Sequence, residues 1–393
     1  MAGSVIIAGA RTPIGRMSGG FASMSAADLG GVAIAGALER AGVSPDQVDY
    51  VFMGHVIQAG AGQMTARQAA ANAGIPLSVP ATTVNKVCLS GLNSIYLADQ
   101  MVQAGDADIV VAGGMESMTN APYLLPDARS GMRLGDKSVV DSMMYDGLFC
   151  AFDQCAMGLG TEKYAASAGL EREPQDKIAA ASHARAAAAI KDGLLADEIV
   201  PVEVPQRRGD PIVVDTDEGV RVETTEESLG KLRPAFDKAG NITAGNASQI
   251  SDGASAVVVM SKAKAEELGI SPMGEILGYG QVAGPDPSLL TQPSRSSMLA
   301  LEDAGLSVGD VDLWELNEAF AAVSLASMDE LGISDDIVNV NGGAIALGHP
   351  VGMSGNRLAL TILHELKRRG GGTGVAALCG GGGQGDAIVL RTL

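Results

Sequence analysis

Aromatic side chains make up only 3% of the 393 residues, with a single tryptophan. A core without large rings must be filled by small groups. Alanine and 52 glycines supply them, so close-packed helices and sheet with tight backbone approaches are expected. Cysteine is scarce as well. The four cysteines stand at 88, 150, 155 and 379, none in a C-x-x-C pair. That spacing suits no zinc site, and free thiols in a chain this large point to a reducing compartment. No apolar run reaches membrane-spanning length. The segment Met1–Arg11 lacks a basic start and a long apolar stretch, so it reads as a first strand and not as a signal peptide. Positive charge is short too: 27 Lys and Arg against 46 Asp and Glu leave a net charge of -19. This argues against nucleic acid and against an anionic membrane surface as partners; an anionic ligand would need a local basic patch. The expectation is a soluble cytoplasmic protein of two or three domains.

What the chain does have is alternation. Val5–Ala8 reads as a buried strand, Ser25 as the cap of a helix to about Ala41, Val48–Met53 as a strand and Thr65–Ala73 as a helix. A helix to about Ala104 and a strand at Asp108–Ala112 follow. The last third repeats this plan. Ala37-Leu-Glu-Arg-Ala-Gly lies over Ala300-Leu-Glu-Asp-Ala-Gly at an offset of 263 residues, and Val87-Cys-Leu-Ser-Gly91 lies over Val351-Gly-Met-Ser-Gly355 at 264. Chance matches do not keep one offset, so this is internal duplication. Asp252–Val259 resembles Gly385–Leu390 at a much shorter offset, so the first copy carries an insert of about 130 residues. The expected fold class is α/β: two duplicated α/β core halves, their sheets covered by helices, plus an inserted loop domain. The boundaries are 1–118 with 249–272 for the first half, 119–248 for the insert and 273–393 for the second half.

The stretch Thr83–Leu92 organises the chain. A β-branched run leads into Cys88, small residues follow, and a helical pattern begins at Leu92, Ile95, Tyr96 and Asp99. A cysteine on such a strand-to-helix turn meets free N–H groups and the helix dipole, which favour a thiolate. A buried structural cysteine reads equally well on this stretch alone. Duplication places the glycine-rich loop Asn341–Gly355 opposite that turn, and with it His349. A Cys–His pair raises the thiolate fraction. His55, His183 and His364 read as structural. Val375–Gly385 runs from a strand through Cys379 into four glycines. No Lys-Ser/Thr follows, which excludes a phosphate loop. Either the turn brings backbone N–H groups to a reacting oxygen, or it is a plain hairpin. Trp314–Phe320 reads as the start of a helix, with Asn317 near its cap or polarising a carbonyl. Arg207, Arg208 and Arg221 concentrate positive charge in the insert, as a solvated face or as a site for a phosphorylated ligand.

Four segments now match a known family together. Asn85-Lys-Val-Cys88-x-Ser-Gly, Asn317-Glu-Ala-Phe, Gly348-His-Pro-x-Gly-x-Ser-Gly and Cys379-Gly-Gly-Gly-Gly-Gln-Gly resemble the thiolases, along essentially the whole chain, and most closely the acetyl-CoA acetyltransferase branch of that family. The resemblance implies the thiolase fold and a reversible Claisen condensation of two acetyl-CoA, or thiolysis of short 3-ketoacyl-CoA. It implies that Cys88 is acylated, that His349 activates it, and that Cys379 moves the α-proton. Asn317, through a water, and His349 would hold one thioester oxygen; the N–H groups of Cys88 and Gly381 would hold the other. Arg221, Ser228 and Ser248 match CoA-lining positions. Leu148, Met157, Ala319 and Phe320 match the pantetheine and acyl pocket. No metal and no cofactor is implied, since coenzyme A thioesters are substrates, and family members are homodimers or homotetramers.

Three positions depart from the family pattern. Leu89 stands where small residues are commoner, Ala156 where acetoacetyl-CoA thiolases usually carry histidine, and Ser288–Pro293 lacks the usual glycine-rich form. The alternatives are a degradative thiolase for longer chains in fatty-acid β-oxidation, a ketoacyl-synthase-like condensing enzyme, and a non-catalytic acyl-CoA binder. Cys379 argues against the second, and the complete Cys88, His349 and Cys379 set against the third.

Overall fold

Ser251–Ser261 is buried at all of its 11 residues, which requires a strand covered on both faces. It lies near the middle of the largest sheet of the computed structural model, which describes residues 4–393; the first three residues of the Met1–Arg11 segment lie outside the described residues. The sheet has ten strands. From one edge its main path runs Ala81–Val84, Tyr50–Gly54, Ile109–Ser117, Ser251–Ser261, Ser4–Arg11, Gly274–Ala283, Gln384–Thr392, Thr373–Gly380 and Leu313–Leu316.

Apart from the edge strand Ala81–Val84, the path is symmetric about one seam. Ser4–Arg11 meets Gly274–Ala283 through only two residue pairs, Val5 with Glu275 and Ile6 with Gly274. Outward from that seam, each side continues with two antiparallel pairings and then a parallel one. Ser90–Ala104 and Ser354–Arg368 are both helices of 15 residues, and they pack on each other. The repeated Ser-Gly dipeptide explains how. A Cβ on Gly91 would stand 2.8 Å from the Gly352 carbonyl oxygen, and one on Gly355 would stand 2.6 Å from the Leu92 nitrogen. Real side chains do not fit there, so the two helix starts touch backbone to backbone. This brings the Cys88 turn against the Gly348–Gly355 turn, as the duplication implies.

Local signals act as read for the first helix. Ser25 accepts from the Asp28 N–H, and Gly42 ends the helix at φ 65°. The Trp314–Phe320 reading is corrected. Leu313–Leu316 is a fully buried strand paired in parallel with Gly374–Ala377, and the helix begins only at Ala321. Asn317 therefore caps nothing; its N–H continues the strand by donating to the Ala377 carbonyl at 3.0 Å. Four apolar-rich residues beside an open sheet edge gain more from pairing than from a helix start.

The segment between Ile109–Ser117 and Ser251–Ser261 adds no strand to the large sheet. It forms three small two-stranded sheets and the helices Met157–Ser167 and Arg172–Lys191. Arg11 holds it to the core. That buried guanidinium meets Glu198 at 2.6 Å and Asp217 at 2.7 and 2.9 Å. Tyr123, Leu125, Met132, Leu134 and Val139 are exposed along the outer part of the segment. No helix among the described residues is long and apolar enough to cross a membrane.

Candidate active site

Ala81–Val84 delivers the chain to a tight turn before the helix at Ser90. The turn is built from its own side chains. Ser90 Oγ accepts from the Lys86 N–H at 2.8 Å and donates to the Val87 carbonyl at 2.6 Å, and Asn85 Oδ1 accepts from the Val87 N–H at 3.1 Å. Val87 is held at φ 51°, a strained conformation for a β-branched residue. The strain presents Cys88, half-buried, to the space between the halves.

Two N–H groups reach the Cys88 sulfur, its own and that of Gly381. Gly381 opens the hairpin turn after Thr373–Gly380, where Gly382 and Gly383 adopt φ 81° and 69°. The glycine run thus serves a turn whose backbone faces Cys88. Cys379, at the end of that strand, is fully buried, and its thiol is pushed up by burial and then by the neighbouring Cys88.

The expectation of a thiolate-favouring environment at Cys88 is corrected. Burial pushes the thiol up to about 12, against the two N–H groups, and the charge of Glu116 adds to the rise. Removing the sulfur from water outweighs the helix terminus. His349 is shifted the opposite way, down to about 4, by burial and then by the charge of Arg357. Thiol and imidazole are therefore both neutral at rest. The tautomer follows from the contacts. Ser354 Oγ donates to the Pro350 carbonyl at 3.0 Å, so it accepts from His349 Nδ1–H at 2.5 Å. Nε2 is left as the bare nitrogen facing the site, 3.5 Å from Asn317 Nδ2.

Several residues with no sequence signal hold this arrangement. The Gln249 carbonyl accepts from the His349 N–H at 3.1 Å. The Glu116 carboxylate, completely buried, accepts N–H bonds from Val56 and Ile57 at 3.1 Å and from Gly352 at 3.0 Å, and faces His55 Nε2 at 3.3 Å. It ties the loop after Tyr50–Gly54 to the His349 loop of the other half.

A cavity of about 500 Å³ runs from Arg221 to His349, lined by Leu148, Met157, Ser248 and Phe320 among others. Met118 and Val351 line it and belong to the buried cluster against which Cys88, Leu148 and Ile250 all pack. A second cavity of about 620 Å³ lies beside Val87, Gly381 and Gly382; Met157 belongs to both. Arg221 is positioned by a residue read as merely structural: His183 Nδ1 accepts the Arg221 N–H at 3.1 Å. Burial and the Arg221 charge hold His183 neutral, down to about 4. Ala319 lies behind the wall and fixes Ser248, whose N–H it accepts at 3.0 Å. Ser228 is outside the lining; its hydroxyl and N–H are engaged with Thr225 at the start of a short helix. Arg207 and Arg208 are exposed and also outside it. Cys150 and Cys155 are free thiols directly opposite each other in a small hairpin.

Residues 4–263 match the family model described as Thiolase, N-terminal domain, and residues 270–392 match Thiolase, C-terminal domain. The chain is 57% identical over 391 residues to a probable acetyl-CoA acetyltransferase of Mycobacterium tuberculosis, covering 100% of both chains. It is 51% identical over 388 residues to an acetyl-CoA acetyltransferase of Cupriavidus necator, 98% of each chain. It is likewise 51% identical over 387 residues to one of Pseudomonas aeruginosa, again 98% of each.

Proposed function

The chain belongs to the thiolase family, and from that premise we propose a role for each residue around Cys88. The protein is an acyl-CoA acyltransferase of the acetyl-CoA acetyltransferase kind. The observation that carries the residue roles is the meeting of two turns at one sulfur: a Cβ on Gly380 would stand 2.6 Å from Leu89 and one on Gly381 3.3 Å from Val87, the two neighbours of Cys88, which brings the Gly381 N–H and Cys379 to act on its thiol.

In the first half-reaction the thioester oxygen of acetyl-CoA sits between the Cys88 and Gly381 N–H groups. The Cys88 thiol passes its proton to His349 Nε2 as sulfur attacks the carbonyl carbon. The tetrahedral centre collapses, the C–S bond to CoA breaks, and Cys379 gives its proton to the departing CoA thiolate. Acetyl-Cys88 and a Cys379 thiolate remain. Acylation removes the Cys88 thiol, whose ionised form is one cause of the raised Cys379 thiol. The Cys379 thiolate is still a strong base in its buried place, suited to the α-carbon of a second acetyl-CoA. His349, now protonated, and Asn317, through a water, hold the enolate oxygen. The carbanion attacks acetyl-Cys88, acetoacetyl-CoA leaves, and the Cys88 thiolate recovers its proton from His349. Thiolysis is the reverse sequence.

Arg221 and Ser248 line the cavity that leads to His349, which supports their reading as CoA contacts; the Ser228 assignment rests on resemblance alone. Residues 119–248 are assigned as the CoA-binding insert between core halves 1–118 with 249–272 and 273–393. The exposed apolar side chains of the insert fit a homo-oligomer, dimer or tetramer, and the four free thiols fit a cytoplasmic setting.

A second reading, thiolysis of longer 3-ketoacyl-CoA, is favoured by the second cavity beyond Met157 and by the small Ala156 in the wall of the first. Thiolysis rates for acetoacetyl-CoA beside a 3-ketoacyl-CoA series separate the two. A kcat/KM that peaks at four carbons supports the acetyl-CoA reading; a rise with chain length supports the other.

A further inference from the structure

Two residues before the nucleophile, the chain places a lysine whose charge is spent inside the protein. Lys86 Nζ donates to both carboxylate oxygens of Asp386, at 2.7 and 3.0 Å. The Asp386 side chain is fully buried, and that of Lys86 is 22% exposed. A buried carboxylate is costly unless its partners are well placed. Asp386 has three. Besides Lys86, it accepts from the Tyr279 hydroxyl at 2.7 Å and from the Asn93 side chain. Lys86 and Asn93 lie on either side of Cys88 in the first half. Tyr279 lies on Gly274–Ala283 in the second half, and its ring stacks at 4.3 Å on Tyr96, which stands on the helix that follows Cys88.

The position of Asp386 gives this network a purpose. Asp386 pairs with Leu378 across the terminal hairpin, and the next pair is Gly385 with Cys379. Cys379 and Gly381 are thus carried by the strand and turn that Asp386 braces. Cys88 is carried by the turn that Lys86 braces. That turn contains the strained Val87, so its shape needs external support. The Gly381 N–H must meet sulfur or oxygen within hydrogen-bond distance to be of use, and displacements of about 1 Å are enough to cost a hundredfold in rate.

We propose that Lys86 and Asp386 are a positioning pair for acyl transfer, a buried ion pair between the halves that sets the Cys88 sulfur against the Gly381 N–H and Cys379. Neither residue touches substrate. The inference rests on the roles proposed above for Cys88, Cys379 and Gly381.

The test compares Lys86→Met, Asp386→Asn, the double variant and Lys86→Arg in thiolysis of acetoacetyl-CoA, with Cys88→Ala beside them. Each single neutral variant should lose about ten- to a hundredfold in kcat, with KM for acetoacetyl-CoA and for CoA within about twofold, because the CoA cavity is elsewhere. The double variant should lose no more than the worse single one, since both remove the same tether. Lys86→Arg, which keeps the charge, should recover most of the rate. If Lys86→Met fails to fold, the near-isosteric Asp386→Asn and the Lys86→Arg rescue still decide. Unchanged kcat in folded Asp386→Asn, additive losses, or a KM that rises as kcat falls would overturn the pair while Cys88→Ala stays inactive. Full activity in Cys88→Ala would instead overturn the reading on which the pair rests.

Discussion

Asn317 Nδ2 stands 3.5 Å from His349 Nε2, each group carried by a separate loop of the second half. Asn317 follows the buried strand Leu313–Leu316, and His349 follows a short helix that ends at Leu347. Asn317 Oδ1 is buried with no hydrogen-bond partner among the described residues, so the amide is not consumed by a structural network on that side. Two polar groups therefore face one point beside the cavity, apart from the Cys88 and Gly381 N–H pair. On the proposed roles the site has two places for an oxygen to acquire charge, as a Claisen condensation requires.

Removal of the amide should act on chemistry and little on binding. Asn317→Ala is expected to lower kcat for thiolysis by about a hundredfold with KM for CoA nearly unchanged, the size of effect seen when one oxyanion donor is lost. Steady-state kinetics with acetoacetyl-CoA measures it. A variant that loses only in KM places Asn317 among the binding groups instead.

The raised thiol of Cys88 has its own signature. A group at about 12 is protonated throughout the neutral range, so its thiolate fraction rises tenfold per pH unit up to about that value. The rate of Cys88 alkylation by iodoacetamide, followed by peptide mapping, should therefore climb with unit slope from pH 6 to 10. An exposed cysteine would level off near 9. Levelling below pH 8 would show a preformed thiolate–imidazolium pair and refute the neutral resting state.

These two results bear on how far the sequence could be read. The halves were legible because the pseudo-twofold demands the same small residues twice: Gly91 and Gly355 touch opposite backbones, and a side chain at either would collide. Strand and helix alternation was legible for the same local reasons, in caps such as Ser25 and Gly42. The helix start at Trp314–Phe320, and with it the cap reading of Asn317, fails because a polar residue before a helical pattern looks like a cap, whereas the pairing of Leu313–Leu316 with Gly374–Ala377 depends on residues some sixty positions away. Burial, which overturned the expected thiolate, belongs to no single stretch. Glu116 acts on Gly352 across 236 residues, and His183 holds Arg221 across 38; neither contact leaves a spacing to recognise.

Arg221 gives a prediction on the binding side. It lines the cavity that leads to His349, and in an acidic chain it is a concentrated positive charge for phosphate. A charge-assisted contact is worth roughly 1.5–3 kcal/mol, about ten- to a hundredfold in affinity. Arg221→Ala should raise KM for acetoacetyl-CoA by that factor with a smaller change in kcat, and the defect should shrink at high salt as the wild type weakens. An unchanged KM at several salt concentrations would refute the placement.

The two cysteines of the site should separate cleanly. On the proposed roles, Cys88 forms the acyl-enzyme and Cys379 moves the α-proton, so their losses should differ in kind. Cys88→Ala leaves no sulfur to acylate, and every half-reaction should stop. Cys379→Ser keeps the nucleophile, the two N–H donors and His349. Its hydroxyl, however, ionises far above a thiol and is a poor base near pH 7. That variant should still take an acetyl label on Cys88, more slowly than the wild type because Cys379 also gives the departing CoA its proton. It should fail to exchange the methyl hydrogens of acetyl-CoA with D₂O, which the wild type should do. Trapped acyl-enzyme by mass spectrometry and methyl exchange by NMR, on both variants, give the two readouts. Methyl exchange at the wild-type rate in Cys379→Ser would pass the base role to His349, the remaining group beside the site whose bare Nε2 can take a proton.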